Sequence, residues 1–420
     1  MEENGKPVEL EAMLQRGNLL KAWKAVRRNK GGAGVDGLTI EATRQHLKQH
    51  WPVVKEKLLG GSYRPAAVRC VTIPKPNGGK RTLGIPTVQD RLIQQAMLQV
   101  LSAKLDGTMS NHSYGFRPGR SAHDAIAAAS GYVAAGKSWV VDIDLKSFFD
   151  QVNHDRLMTL LGRHVRDKGV LQLIGRYLRA PMRQPDGRQT ARTCGTPQGG
   201  PLSPLLANIY LDPLDKELER RGIAFVRYAD DIALFADNEQ TAQQMLGSIK
   251  EWLRRELGLQ INDDKSGSGP SDGSQLLGFR LHRDGAVEIS PKAIDKLKAK
   301  VRELLDVRNS ISAEGLRKRW SAYIDGWWNY FRIANRLWTL KGVDGWIRCH
   351  MRKMFWLRWH DRHGRRNALR RLGTSSRGLG ISSSRAGAWH VAHSPILQQA
   401  LTNARLARFG LYLPWTSAKA

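Results

Sequence analysis

The first sixty residues carry apolar positions at helical spacing. Leu10, Met13, Leu14, Leu19, Leu20 and Trp23 stand among polar residues, a period that predicts helix. The glycine-rich turn Gly31-Gly32-Ala33-Gly34-Val35-Asp36-Gly37 interrupts it, and a second helical stretch runs past Leu47 and Trp51. Residues 68–73 read as a strand, and a second strand passes through Leu83 and Ile85. Between them lies Pro74-Lys75-Pro76-Asn77-Gly78-Gly79-Lys80-Arg81, which makes a hairpin with a cationic tip. Helical blocks at 90–105 and 122–135 flank the turn-rich Tyr114-Gly115-Phe116-Arg117-Pro118-Gly119-Arg120. An apolar strand follows at 139–145, then a helix capped near Asn153 with Leu157, Leu160, Leu161 and Val165 on one face. Residues 225–235 alternate as strand, tight Ala-Asp-Asp turn and strand. One more hairpin is expected from 276–281 and 286–289. Helices and strands mixed in this way predict an α+β body.

At Ser290-Pro291 the pattern changes, because serine suits an N-cap and proline the first helical turn. Ile294, Leu297, Val301, Leu304 and Leu305 mark one helix. Leu316, Trp320, Tyr323, Ile324, Trp327, Trp328 and Phe331 mark another. We therefore expect an N-terminal extension (1–62), a mixed body (63–290), a helical domain (291–365) and a basic C-terminal region (366–420). The Gly/Ser-rich patch 373–387 reads as a loop or linker.

Charge changes this picture from a fold to a binding surface. The 420 residues carry 67 Lys and Arg against 38 Asp and Glu, a formal net charge of +29. From residue 291 onward the count is 26 against 7. A balanced body with a basic grip suits chemistry on a polyanion, and nucleic acid is the commonest one in a cell. The hydrophobic share of 41% is that of a globular protein. Three cysteines without a CxxC pair exclude a zinc ribbon and a disulfide framework. His350, His360, His363, His390 and His393 lack ligand spacing for zinc. No apolar run approaches the ~20 residues of a membrane span, so a cytoplasmic protein is expected.

Two groups of carboxylates carry the candidate chemistry. Along Val140-Val141-Asp142-Ile143-Asp144-Leu145, Asp142 and Asp144 share one strand face. Tyr228-Ala229-Asp230-Asp231 forms a hairpin tip with apolar arms. Brought together, these would make an all-oxygen site suited to Mg²⁺, with Mn²⁺ an alternative. Two such ions about 4 Å apart clamp the attacking and leaving oxygens of a phosphoryl displacement. Asp144 would touch both, with Asp230 beside it and Asp231 as third ligand. Each group alone also reads as a solvated surface feature.

In company, the motifs resemble those of the bacterial group II intron reverse transcriptases, or maturases. The matching segments run in family order. They are Gly34-Val35-Asp36-Gly37, Ile73-Pro74-Lys75-Pro76 with Arg81, Tyr114-Gly115-Phe116-Arg117-Pro118-Gly119-Arg120-Ser121, and Asp144-Leu145-Lys146-Ser147-Phe148-Phe149-Asp150. Thr196-Pro197-Gln198-Gly199-Gly200-Pro201-Leu202-Ser203-Pro204, Arg227-Tyr228-Ala229-Asp230-Asp231, Asn262-Asp263-Asp264-Lys265 and Leu277-Gly278-Phe279 complete the set. The resemblance implies a right-hand polymerase with fingers, palm and helical thumb. It implies a catalytic and metal-binding set of Asp144, Asp230 and Asp231. Lys75 and Arg81 would meet the incoming triphosphate, Phe149 would exclude a ribose 2′-hydroxyl, and Gln198 would line the nucleotide pocket. By residue type alone, Phe149 and Gln198 read equally as packing.

Arg117, Arg120, Lys265, Arg352, Lys353 and Arg358 are candidate nucleic-acid contacts. Basic and aromatic residues interleave from Arg352 to His360, which fits phosphate contact with base stacking and equally a solvated helix with a buried aromatic side. The expected partners are intron RNA, an RNA template with a DNA primer, and dNTPs. The family's larger members carry an HNH nuclease; this chain resembles the short class without it. A host-adopted reverse transcriptase in phage defence or DNA repair, and an RNA-binding splicing factor that does not polymerise, stay open as alternatives.

Overall fold

The computed structural model describes residues 10–74 and 80–417. The chain forms two compact units that divide at Pro270/Ser271. Among the described residues, no helix is long and apolar enough to cross a membrane.

In the first unit, the strands Val68–Pro74 and Lys80–Ile85 pair antiparallel with Ile73 opposite Arg81. The first of them also pairs with Met182–Arg183, which pairs in turn with Gln189–Thr190. The helix Val88–Leu105 follows the strand Lys80–Ile85. Its N-cap Thr87 accepts from the Asp90 N–H, satisfying one of the donors that a helix start leaves open. Asp90 is buried and accepts from the hydroxyls of Tyr63 (2.7 Å), Thr87 (2.8 Å) and Tyr177 (3.3 Å).

The second sheet positions the site. Its order is Ala224–Tyr228, Asp231–Ala236, Trp139–Asp144, Gly267–Pro270, antiparallel throughout. Val141, Ile143, Ile232 and Leu234 lie in one core with Leu206, Tyr210 and Leu214 of the helix Ser203–Arg220. Because strand side chains alternate, burying Val141 and Ile143 sends Asp142 and Asp144 to the opposite face. The expected cap at Asn153 is present, its side chain accepting from the Arg156 N–H at the start of His154–Gly162.

In the second unit, Val287–Ile289, Phe279–Leu281 and Gln275–Leu276 form a three-stranded sheet. Ser290 caps the helix Pro291–Leu304, as its sequence predicts. The compact unit nevertheless begins before that helix. The Phe279 ring packs 5.1 Å from Phe331 of the helix Ala313–Phe331, and the Val287 N–H donates to Asn335 (2.8 Å). These contacts carry the hairpin along with the helices, so the compact unit begins at Ser271, ahead of the helix that opens the expected helical domain. Trp320, Trp327 and Trp356 are buried. The Gly/Ser-rich patch is not a free linker. It holds the 3₁₀ turn Gly378–Ser383, with Leu379 and Ser382 buried.

Candidate active site

Tyr228 pairs with Asp231, so the hairpin turn consists of Ala229 and Asp230 alone. Asp231 opens the return strand and stands directly opposite Asp144. Residues opposed in an antiparallel ladder point to the same face with Cβ atoms about 5 Å apart, so Asp144 and Asp231 are neighbours and Asp230 adjoins them in the turn. Burial, with Asp230, Asp144 and Asp142 adding repulsion, pushes the Asp231 carboxyl up to about 6. Asp230 is raised too, by burial first and Asp144 next.

A hard divalent ion fits that donor chemistry. Among the described residues, however, no three His, Cys, Asp or Glu side chains are assembled to hold a metal. The aspartates share one end of the sheet without forming a closed cage. The Lys265 Nζ lies 3.4 Å from Asp144 Oδ2. That lysine is placed by its own motif: the Asn262 N–H donates to the Asp144 carbonyl (2.7 Å), and the Asp144 N–H donates to Ser266 Oγ (3.0 Å). Lys265 is exposed and pairs with Asp144 from the surface.

The turn itself is held from beneath by residues the sequence reading missed. Arg227 is fully buried. It forks onto Asp215 through Nε (2.7 Å) and Nη2 (2.5 Å), and its Nη1 donates to Asn208 Oδ1 (2.9 Å) and the Ala229 carbonyl (3.0 Å). Ala229 has a φ of 59°, a conformation hairpins ordinarily give to glycine. Alternation along residues 225–235 conceals Arg227, because an arginine in a strand reads as solvent-facing. Its signal was Asp215, one of few acids on an otherwise apolar helical face.

A cavity of about 420 Å³ is lined by Arg81, Phe149, Gln198 and Gly199, among others, and Arg81 is near enough to Asp230 to favour its charged form. Arg81 Nε donates to Gln198 Oε1 at 2.6 Å. The Gln198 carbonyl accepts from the Gly84 N–H (3.1 Å), which ties this loop to the cationic hairpin. Gly199 has a φ of 142°, and a Cβ there would stand 2.8 Å from the Gly84 carbonyl, so no larger residue fits. The Thr196 N–H donates to the Phe149 carbonyl at 2.7 Å, joining the loop to Phe149. Arg81, Phe149 and Gln198, far apart in number, therefore meet at one cavity, to which Arg91 and Phe116 also contribute. Lys75 lies outside the described residues.

Two of the expected nucleic-acid contacts turn inward instead. Arg117 is 7% exposed and donates to Asp106 Oδ1 (2.7 Å) and to the Ser110 and Ser113 carbonyls. Arg352 is 6% exposed and donates to the Leu401 carbonyl and Asn403 Oδ1, each at 3.0 Å. Both guanidiniums satisfy buried carbonyls, a structural duty that leaves no surface for phosphate. Arg120 is half-buried and held by Asn111. Lys353 and Arg358 remain partly accessible. Trp356 faces the core, so the interleaved stretch is a helix with a buried aromatic side at that position.

Comparison with known proteins decides the family. Residues 73–281 match the model for reverse transcriptase (RNA-dependent DNA polymerase), and 294–373 match the group II intron maturase-specific domain. The protein YkfC of Escherichia coli is 32% identical over 289 residues, covering 60% of this chain and 76% of YkfC. The chain belongs to the group II intron reverse transcriptase family. The group II intron-encoded protein LtrA of Lactococcus lactis is 37% identical over 207 residues, 49% of this chain but 34% of LtrA. Among solved structures, apo telomerase from Candida tropicalis is similar at a TM-score of 0.45 and 15% identity, over 66% of this chain and 60% of that one. That likeness is too distant to add to the assignment. Within the family's right-hand α+β fold, the four-stranded sheet bearing Asp144 and Asp231 is the palm, and the hairpin bearing Arg81 belongs to the fingers.

Proposed function

We propose that the chain is an RNA-directed DNA polymerase that extends a DNA primer along intron RNA, and that it binds that RNA to assist splicing. The observation that carries the reading is the register that sets Asp231 opposite Asp144, with Asp230 in the adjoining turn and within electrostatic reach of Arg81, which lines a cavity with Phe149 and Gln198. Asp144, Asp230 and Asp231 would hold a pair of divalent cations, Mg²⁺ or Mn²⁺, which supply Lewis acidity at the primer 3′-hydroxyl and at the departing pyrophosphate. Arg81 spends its Nε on Gln198 and keeps its two Nη groups for triphosphate oxygens, where a planar fork binds two at once. Gln198 in turn holds that guanidinium in orientation. Phe149 is 9% exposed, and its packed ring bars a ribose 2′-hydroxyl, which selects dNTPs. Lys265 steadies the Asp144 charge.

The chain spans 76% of YkfC but about a third of LtrA, so splicing assistance and retromobility rest on the maturase-specific match. Replacing Asp230→Asn should reduce primer extension on an RNA template by at least about 1,000-fold, a loss of about 4 kcal/mol of transition-state stabilisation. Affinity for intron RNA should stay within about twofold. Synthesis at the wild-type rate would overturn the assignment. A wild-type chain that binds intron RNA yet never extends a primer would leave the splicing role alone.

A further inference from the structure

Residues 114–117 are fastened to the palm at almost every group except one ring. The Tyr114 N–H donates to the Arg227 carbonyl (2.8 Å), and the Arg227 N–H donates to the His112 carbonyl (2.9 Å). Asn208 Nδ2 donates to the Gly115 carbonyl at 2.8 Å. A side chain at Gly115 would stand 2.3 Å from the Ala229 nitrogen, so this backbone lies flat against the turn that carries Asp230. Arg117 is buried in its four hydrogen bonds. Between them, Phe116 has a φ of 59° and is 53% exposed at the wall of the nucleotide cavity.

That residue carries two costs at once. A bulky side chain in the left-handed region is strained, and a phenyl ring left in water forfeits its burial. Strain held on a rigid mount is characteristic of functional positions. The cavity supplies the missing partner. The incoming nucleotide's triphosphate has Arg81 and its sugar has Phe149, whereas the templating base has no assigned contact. Of the two aromatic rings lining the cavity, Phe149 is buried and Phe116 is open. An aromatic face accepts every base alike, as copying an arbitrary template requires.

We propose that Phe116 is the platform on which the templating nucleobase stacks while it pairs with the incoming dNTP. The proposal rests on the polymerase reading. The Asn208–Arg227–Asp215 network then aims the platform and the catalytic turn together, since Arg227 bonds both Tyr114 and Ala229, and Asn208 ties Arg227 to the Gly115 carbonyl.

The test is single-nucleotide insertion on two RNA templates, one with a natural base at the templating position and one abasic there. Phe116→Ala should lower kcat/KM about 10- to 100-fold on the natural template, the range expected for losing one base–aromatic stack. On the abasic template the same change should cost less than about twofold. Phe116→Trp should restore insertion. Phe116→Gly, which relieves the left-handed backbone, should melt at or above the wild-type temperature while inserting poorly. Equal losses on both templates, or a Phe116→Gly chain that melts several degrees lower, would make the ring a structural element and overturn the proposal. Should the wild-type chain insert on neither template, the polymerase reading falls and the platform with it.

Discussion

At one end of the palm sheet's two central strands, burial and neighbouring carboxylates raise Asp230 and Asp231. In the helix Trp338–Arg358, by contrast, an arginine from a run of basic residues points inward and donates to one backbone carbonyl and one asparagine side chain. Burial and neighbouring carboxylates disfavour the charge of Asp230 and Asp231, whereas Arg352 is satisfied by Leu401 and Asn403. Unsatisfied charge held in place is what a ligand can use, and satisfied charge is what a fold uses. Counting basic residues along a sequence does not separate the two. Burial and partners do. Arg227 extends the lesson, because it lies two residues from the catalytic turn yet turns its guanidinium inward in four hydrogen bonds to Asp215, Asn208 and Ala229.

The strongest way to break this contrast is at Arg227. Arg227→Met leaves Asp215 charged and buried without its partner, which should cost about 3–5 kcal/mol of stability. Primer extension should vanish with it. Arg227→Lys should recover part of the stability but little of the activity, since a point charge cannot hold Asp215, Asn208 and Ala229 together. Thermal melting and extension assays on both variants check this, and an active Arg227→Met chain would detach the network from the site.

A smaller effect sharpens the basic side of the comparison. Arg352→Ala should destabilise the second unit by about 1–3 kcal/mol, by leaving the Leu401 carbonyl unpaired. It should not change how RNA affinity depends on salt. Lys353→Ala should do the reverse, leaving the melting temperature alone and reducing the slope of log affinity against log salt by about one. Salt titrations of RNA binding distinguish the two. Equal slopes for both variants would remove Lys353 from the binding surface.

The smallest effect concerns His350, whose ring lies 4.1 Å from that of Trp346 and 4.7 Å from that of Trp389. Burial, with Lys353 and Arg302 adding, lowers it from 6.5 to about 4. A folded value below the unfolded one favours the neutral ring. This contribution to stability is therefore full above about pH 6.5 and is lost as pH falls toward 4. Partial exposure limits it to about 1 kcal/mol. Melting curves at pH 7 and pH 5 should show a smaller drop for His350→Gln than for the wild type, and equal drops would place the ring in solvent.

Much of this was legible beforehand because it depends on local rules. The Asn153 and Ser290 caps, the hairpin leading to Arg81 and the strand bearing Asp144 follow from periodicity and capping residues. Convergence of Arg81, Phe149 and Gln198 followed from the family motifs, not from spacing. What escaped was set by tertiary pairing. The turn is Ala229-Asp230 and not Ala-Asp-Asp, a one-residue matter fixed only by the Tyr228–Asp231 pair. Arg117 and Arg352 look like surface cations until the carbonyls they serve are in place. The patch at 373–387 reads as a linker because glycine and serine outnumber Leu379, which nevertheless packs.

The account depends on three aspartates acting as one cation site. Electron paramagnetic resonance of Mn²⁺ added to the chain with primer, RNA template and dNTP tests this directly. The wild-type chain should retain two ions per molecule, whereas Asp144→Asn should retain at most one, with primer–template affinity unchanged. Undiminished Mn²⁺ retention by Asp144→Asn would contradict the account.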